Sequence, residues 1–329
     1  MTANAVKRPI VGYSLSSEEH GPRDLVRYAA RAEDAGFEYA MISDHFHPWI
    51  DAQGSSPFVW AVLGGIAQAT STLPVGTSVT CPTIRYHPAL IAQAAATVAE
   101  LLDGRFTLGV GTGEYLNEHI YGDPWPSHRV RCEMLEEAVM VIRRLWEGEW
   151  VEHYGTHYTV ANAKLYTLPE KPPPLIIAAG GPRSARLAGA LGDGLVNYAP
   201  DTDVVDRFAE TGGSGKPTYV QLNVCWAEDE MDARRTAHRI CPNVALPGEL
   251  GNQLPHPKHY EQAVSLVTED AVSEAITCGP DSARHVEAIR RCVEAGYDHV
   301  HVYQVGPDQE GFFRFYEREV LPEVQSSAG

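Results

Sequence analysis

A short apolar stretch, a polar loop and an amphipathic helix recur along this chain at intervals of roughly thirty residues, the rhythm of a parallel sheet with crossover helices. Eight apolar stretches can be placed, at residues 10–14, 39–43, 75–80, 106–111, 175–179, 194–198, 219–226 and 299–304. Eight such units predict an α/β fold of the (β/α)8 TIM-barrel architecture, and 329 residues fit one domain of that kind, 1–329. The helix opening at Pro22 puts Leu25, Tyr28, Ala29 and Ala32 on one face, and Gly36 closes it. Further helices are expected from Pro57 and Pro88, because a first helical turn does not need the N–H that proline lacks. A later one sets Met134, Ala138, Val141, Ile142 and Leu145 against polar Glu133, Glu137 and Arg144. Two segments break the rhythm. Residues 148–168 read as a hairpin-like insertion without evident chemistry, and residues 234–277 as a helical, proline-punctuated excursion over the barrel mouth.

Composition narrows the partners. Hydrophobic residues make up 44% and charged residues 21%, enough apolar material for a core without disulfides or a structural metal. A formal charge of −17 with no basic patch argues against nucleic acid and anionic membrane surfaces. Cys81, Cys132, Cys225, Cys241, Cys278 and Cys292 form no C-x-x-C pair, which suits free thiols in a reducing cytoplasm. The N-terminus lacks the apolar core of a signal peptide. Residues 52–84 carry no charge, yet prolines interrupt them, and the apolar helix inside, about 58–69, is too short to span a bilayer.

In such a barrel the chemistry gathers at the C-terminal ends of the strands. The loops there are polar: Ser16-Ser17-Glu18-Glu19-His20, Asp44-His45-Phe46-His47-Pro48-Trp49, Ser78-Val79-Thr80-Cys81-Pro82-Thr83, and Gly111-Thr112-Gly113-Glu114-Tyr115-Leu116-Asn117-Glu118. Asp44-His45 sets an imidazole beside a carboxylate, an arrangement for a general base and equally one for a structural contact. His45 and His47 form the H-x-H that opens many barrel metal sites, but the fifth and sixth strands end without another histidine, so no metal is expected. The glycines around 109–113 imitate a dinucleotide fingerprint without its third glycine or downstream acid. Their narrower content is that small residues let a flat ligand approach the backbone and that Glu114 is presented as a proton donor or acceptor. Ala178-Ala179-Gly180-Gly181-Pro182 either makes a plain tight turn or exposes N–H groups suited to a phosphate.

Taken together, these loops resemble the luciferase-like class of oxidoreductases that use the deazaflavin coenzyme F420, and most closely its glucose-6-phosphate dehydrogenase-like branch. The resemblance covers nearly the whole chain and rests on Gly12-Tyr13 with Ser17-Glu18, Ser43 through Trp49, Gly76 through Tyr86, Leu108 through Glu114 with Leu116-Asn117-Glu118, and Ala178 through Pro182. It implies a barrel of the bacterial luciferase-like type, a deazaflavin across its mouth, and a non-proline cis peptide at Ser78-Val79 behind the ring. Asp44, Cys81 or Thr83, Gly113, Asn117, Ala179, Gly180 and Gly181 would line the cofactor. His45 would take the substrate hydroxyl proton, Glu114 would protonate the deazaflavin, and Trp49 and Glu18 would shape the pocket. A cytoplasmic homodimer acting on a small molecule is implied by the same analogy.

One departure bears on the substrate. Where the branch carries a phosphate-gripping Thr-Ser-Gly-Lys loop after Gly-Asp-Gly, this chain has Gly192-Asp193-Gly194 followed by Asn197-Tyr198-Ala199-Pro200-Asp201, and a second lysine position falls at Gln262. Tyr198, Lys258 and Arg186 are the candidate substrate contacts that remain. The expected reaction is oxidation of a carbinol carbon, in a sugar 6-phosphate or related alcohol. The alternatives are reduction of a C=O, C=N or C=C bond by the reduced deazaflavin, an FMN-dependent monooxygenase, a non-catalytic deazaflavin carrier, and a metal hydrolase.

Overall fold

The computed structural model describes residues 8–326. Eleven strands occur among them: β1 (Ile10–Leu15), β2 (Tyr39–Ile42), β3 (Val75–Thr77), β4 (Phe106–Val110), β5 (Val151–Tyr154), β6 (Thr159–Ala163), β7 (Leu175–Ala178), β8 (Gly194–Asn197), β9 (Thr218–Cys225), β10 (Thr277–Cys278) and β11 (His299–Gln304). Eight of them pair in parallel in the order β9, β11, β1, β2, β3, β4, β7, β8, and β8 pairs with β9 again, which closes the sheet into a barrel. Closure satisfies both edges of every barrel strand.

Alternation along each strand separates two apolar regions. On β1 and β2, Val11, Tyr13, Leu15, Ala40 and Ile42 face outward into the large cluster under the helical ring, where Leu25, Ala29 and Ala32 of the helix Pro22–Asp34 meet them. Tyr39, Met41, Ile176 and Val196 fill the barrel itself. Burying each such leucine or valine contributes about 1.5–3 kcal/mol. Gly36 follows the first helix at φ +86°, the left-handed position that a side chain resists. Gly109 answers a different need: a Cβ there would stand 1.9 Å from the Thr77 carbonyl oxygen of β3. The close contact of neighbouring strands, more than the approach of a ligand, therefore accounts for glycine at 109.

Three expectations shift in the structure. The second helix runs over Val59–Ala69 with Phe58 as its cap, so Pro57 precedes the helix. A two-residue strand, β10, pairs in parallel with the last two residues of β9, Val224 and Cys225, at the end of the excursion. Glu137, read as a polar-face residue of the helix His128–Trp146, is only 8% exposed. Its carboxylate accepts the backbone N–H groups of Thr156, His157 and Tyr158 at 3.1, 3.0 and 2.9 Å and meets His153 Nε2 at 2.8 Å. That single acid ties the antiparallel β5–β6 hairpin to the barrel. The hairpin in turn reaches the mouth, because the Tyr158 hydroxyl donates to the carbonyls of Pro82 and Thr83 at 3.2 and 2.9 Å.

The excursion consists of short helices, among them Leu250–Gln253, Pro257–Val264 and Glu269–Ala275. Tyr260 from the second of these is fully buried against Ile50 and Leu116, with its ring 5.3 Å from that of Trp49. Among the described residues, no helix is long and apolar enough to cross a membrane.

Candidate active site

The loops after β1, β2 and β4 bring three groups together. His45 Nδ1 lies 3.2 Å from the His47 carbonyl oxygen, which can only accept, so Nδ1 carries the proton and Nε2 is left to face the mouth. Nε2 stands 3.3 Å from Glu18 Oε1 and 3.9 Å from Glu114 Oε2. The Glu18 carboxylate, 5% exposed, is held through Oε2 by the hydroxyls of Ser16 at 2.9 Å and Ser43 at 2.7 Å, which leaves Oε1 for the imidazole. Trp49 closes over the histidine with its ring 5.0 Å away, and its backbone N–H donates to Gln53 Oε1 at 2.9 Å. The gap between Nε2 and Glu18 admits one proton, so the pair is arranged to collect a proton released nearby.

Asn117 sets the third member. Its carbonyl accepts the N–H groups of Phe46 and His47 at 2.9 and 3.2 Å, and its amide donates to Glu114 Oε2 at 3.1 Å. One side chain thus ties the β2 loop to the β4 loop and aims Glu114 toward His45. Gly113, at φ +83°, makes the turn that delivers Glu114.

Behind this row lies a latch absent from the sequence reading. Arg85, 7% exposed, donates from Nη2 to Asp44 Oδ1 at 3.0 Å and to the Asp44 carbonyl at 2.9 Å. Its backbone N–H donates to Glu118 Oε2 at 2.8 Å, and its Nε lies 3.8 Å from Glu118 Oε1. Thr80 donates to the other oxygen of Asp44 at 2.7 Å. Burial pushes the Glu118 carboxyl up to about 7 against the lowering pull of the Arg85 charge. The only sequence signal for the latch was that Arg85 and Glu118 fell inside loops already singled out; nothing local showed that they meet.

A cleft at the mouth is lined by Glu18, His45, Trp49, Ser78, Val79, Glu114 and Tyr198, and it continues past residues of β9 to Arg284 and Arg291. Its volume is about 890 Å³, large enough for a flat tricyclic ligand and a small substrate together. The Ser78–Val79 peptide bond is cis, at the place expected. The other expected cofactor contacts do not line this cleft, and Gly180 and Gly181 line a separate pocket with Pro182, Asp201 and Arg207. Asp44 and Asn117 are spent on the partners above. Cys81 is buried, and burial holds its thiol well above the ordinary value. Thr83 Oγ1 is buried with no hydrogen-bond partner among the described residues, and no side chain crowds Gly180 or Gly181. Ala179 is buried at the end of β7.

Two expected substrate contacts are not brought to the cleft. Arg186 is exposed, while Ala185 and Ala188 occupy the packed side of its helix. Lys258 is likewise exposed, the buried face of its helix being Pro257 and Tyr260. Asp201 has local work, its Oδ1 accepting the N–H groups of Asp203 and Val204 at 2.9 and 3.3 Å to cap the helix Thr202–Phe208. His47 Nδ1 is bonded to the Leu116 carbonyl at 3.0 Å, and among the described residues no three or more His, Cys, Asp or Glu side chains are placed to hold a metal ion.

A closed parallel barrel with an acid, imidazole and acid row at its C-terminal mouth defines a TIM-barrel enzyme equipped for proton transfer. The chain belongs to the luciferase-like monooxygenase family, whose profile it matches over residues 9–299. It is 34% identical to the F420-dependent glucose-6-phosphate dehydrogenase of Amycolatopsis mediterranei (strain U-32), over 96% of this chain and 98% of that one. The protein of the same description in Beutenbergia cavernae is 36% identical, over 96% and 97%. Among solved structures, an F420-dependent secondary alcohol dehydrogenase in complex with an F420-acetone adduct superposes with a TM-score of 0.90 at 31% identity, covering 97% of this chain and 99% of that one.

Proposed function

We propose that this chain is a coenzyme F420-dependent dehydrogenase that oxidises a CH–OH group. The observation that carries the reading is the row Glu18, His45 and Glu114 in a cleft that Ser78 and Val79 also line. The relatives named above support it along nearly their full length. The residues present fit the cofactor: Ser78 and Val79 give a flat ligand a surface within the cleft, and the open Gly180-Gly181 backbone of the separate pocket and the unpartnered Thr83 hydroxyl offer hydrogen bonds outside it. Bound there, F420 supplies a two-electron hydride acceptor that does not need oxygen.

Oxidation of an alcohol requires that the carbinol carbon lose a hydride and the oxygen a proton, giving a carbonyl. His45 Nε2 takes the hydroxyl proton, and the Glu18 carboxylate at 3.3 Å stabilises the cation that results. Glu114, oriented by Asn117, holds the proton that balances the charge arriving on the cofactor side of the cleft. Trp49 excludes water from the imidazole and walls the substrate. Tyr198, at the cleft rim beside Ser78, is positioned to touch the substrate.

Six buried free thiols support a cytoplasmic location. Exposed Phe58, Leu90, Leu101 and Met140, on or next to neighbouring helices, support a homodimer, to be checked by light scattering. The reading itself is tested by quenching of F420 fluorescence, with FMN as control, followed by bleaching of the visible band with alcohols. In a His45→Ala variant F420 affinity should hold within threefold while turnover falls about 10²–10⁴-fold. Preference for FMN, or undiminished turnover without His45, would overturn it.

A further inference from the structure

We infer that the substrate is an uncharged alcohol bearing at least a second hydroxyl group, and not a phosphate ester; this rests on the dehydrogenase reading and names the substrate class of the same cleft. The first observation is electrostatic. Besides His45, the acidic and basic side chains lining the cleft are Glu18, Glu114, Glu274 and Glu287 against Arg284 and Arg291, with no lysine, and both arginines are exposed. Arg284 is already paired with Glu230 at 2.8 Å. A phosphate dianion entering from solvent therefore gives up its hydration for a cleft lined by no buried lysine or arginine and by the buried Glu18 carboxylate.

The second observation is the neutral polar lining. The cleft is also lined by Ser14 of β1, Ser16 just beyond it, Gln221 and Asn223 of β9, and Tyr303 of β11. The Gln221 amide donates to the Asn223 carbonyl at 2.9 Å, which leaves the Gln221 carbonyl and the Asn223 amide nitrogen without another bond among the described residues. Ser14 Oγ is buried and has no partner among them. Tyr303 donates to Glu19, and its phenolic oxygen keeps its acceptor capacity. These neutral groups offer both donors and acceptors. A second hydroxyl, donor and acceptor at once, satisfies them, whereas an apolar alcohol leaves them unmatched.

The test uses purified protein with F420 and follows the bleaching of its visible band with glycerol against glycerol 3-phosphate, glucose against glucose 6-phosphate, and 2-propanol. The same pairs are run in reverse with reduced F420 and dihydroxyacetone against its phosphate. The expected result is a kcat/KM at least tenfold higher for each neutral member than for its phosphate ester, and tenfold above 2-propanol. A Ser14→Ala variant is expected to raise KM for glycerol severalfold while leaving the F420 Kd unchanged. Tight F420 binding with preference for the phosphate esters overturns the absence of charge, and preference for 2-propanol overturns the second hydroxyl. Failure to bind F420, or binding without turnover of any alcohol or carbonyl, overturns the dehydrogenase reading on which this inference stands.

Discussion

Replacing Arg85 by methionine removes one cation from between two buried carboxyl groups and keeps much of the side-chain volume. The guanidinium makes two charge-assisted bonds to Asp44, at 3.0 and 2.9 Å, and lies 3.8 Å from Glu118, while Asp44 and Glu118 are 3% and 1% exposed. Breaking a buried pair on one side costs about 3–5 kcal/mol, because the remaining charge stays desolvated. The pH dependence follows from Glu118, whose pKa burial raises from 4.5 to about 7 while Arg85 pulls it down. A carboxyl with a raised folded pKa contributes stability that is full below the unfolded value and is lost as pH rises through the folded one. Without Arg85 the lowering influence is gone, so the variant should suffer most above pH 7 and least below about pH 4.5. Urea unfolding of both proteins from pH 4.5 to 8 reads the difference, expected near 3–5 kcal/mol at pH 8 and markedly smaller at pH 4.5. Adding Glu118→Gln should recover part of the loss at pH 8. A penalty below about 1 kcal/mol, the range of an exposed ion pair, or one independent of pH, would falsify the latch.

Asn117→Ala should cost about 1–3 kcal/mol, since it orphans the N–H groups of Phe46 and His47; it should lower kcat more than F420 affinity, and an unchanged kcat would show that Glu114 needs no such anchor. Glu137→Ala should free the hairpin, seen as faster amide exchange at 156–158 together with weaker F420 binding through Tyr158 and the Pro82–Thr83 carbonyls; slow exchange at those amides would refute the tether. His285 is buried between the Tyr316 hydroxyl and the Gly279 carbonyl, and burial lowers its pKa from 6.5 to about 4. Its contribution is therefore full above pH 6.5 and is lost as pH falls toward 4, so the stability gap between the wild type and His285→Gln should narrow by about 3 kcal/mol over that interval; a constant gap would mean that the ring is already charged.

The barrel and the loops that form its mouth could be read from the chain because both are written locally. Alternating and periodic apolar residues mark β1, β2 and the helix Pro22–Asp34 without reference to distant sequence, and in a parallel barrel the loops that follow the strands share one end. The same holds for His45, Glu18 and Glu114, each delivered by the loop after its own strand. Local pattern misled where burial is decided by a distant partner. Glu137 has the spacing of a solvent-facing acid, yet its surroundings come from a hairpin about twenty residues on.

What the sequence determined by itself was therefore the eight barrel strands, the layered core, the loops that reach the mouth and the family likeness they carry. Tertiary structure alone decided which polar groups are buried together: Arg85 with Asp44 and Glu118, Asn117 between His47 and Glu114, Tyr158 beneath Thr83, and the exclusion of Lys258 and Arg186 from the cleft. The physical reason is that apolar periodicity is a property of neighbours along the chain, whereas the pairing of buried charges and amides is settled only when barrel closure brings loops from different strands within 3 Å of one another.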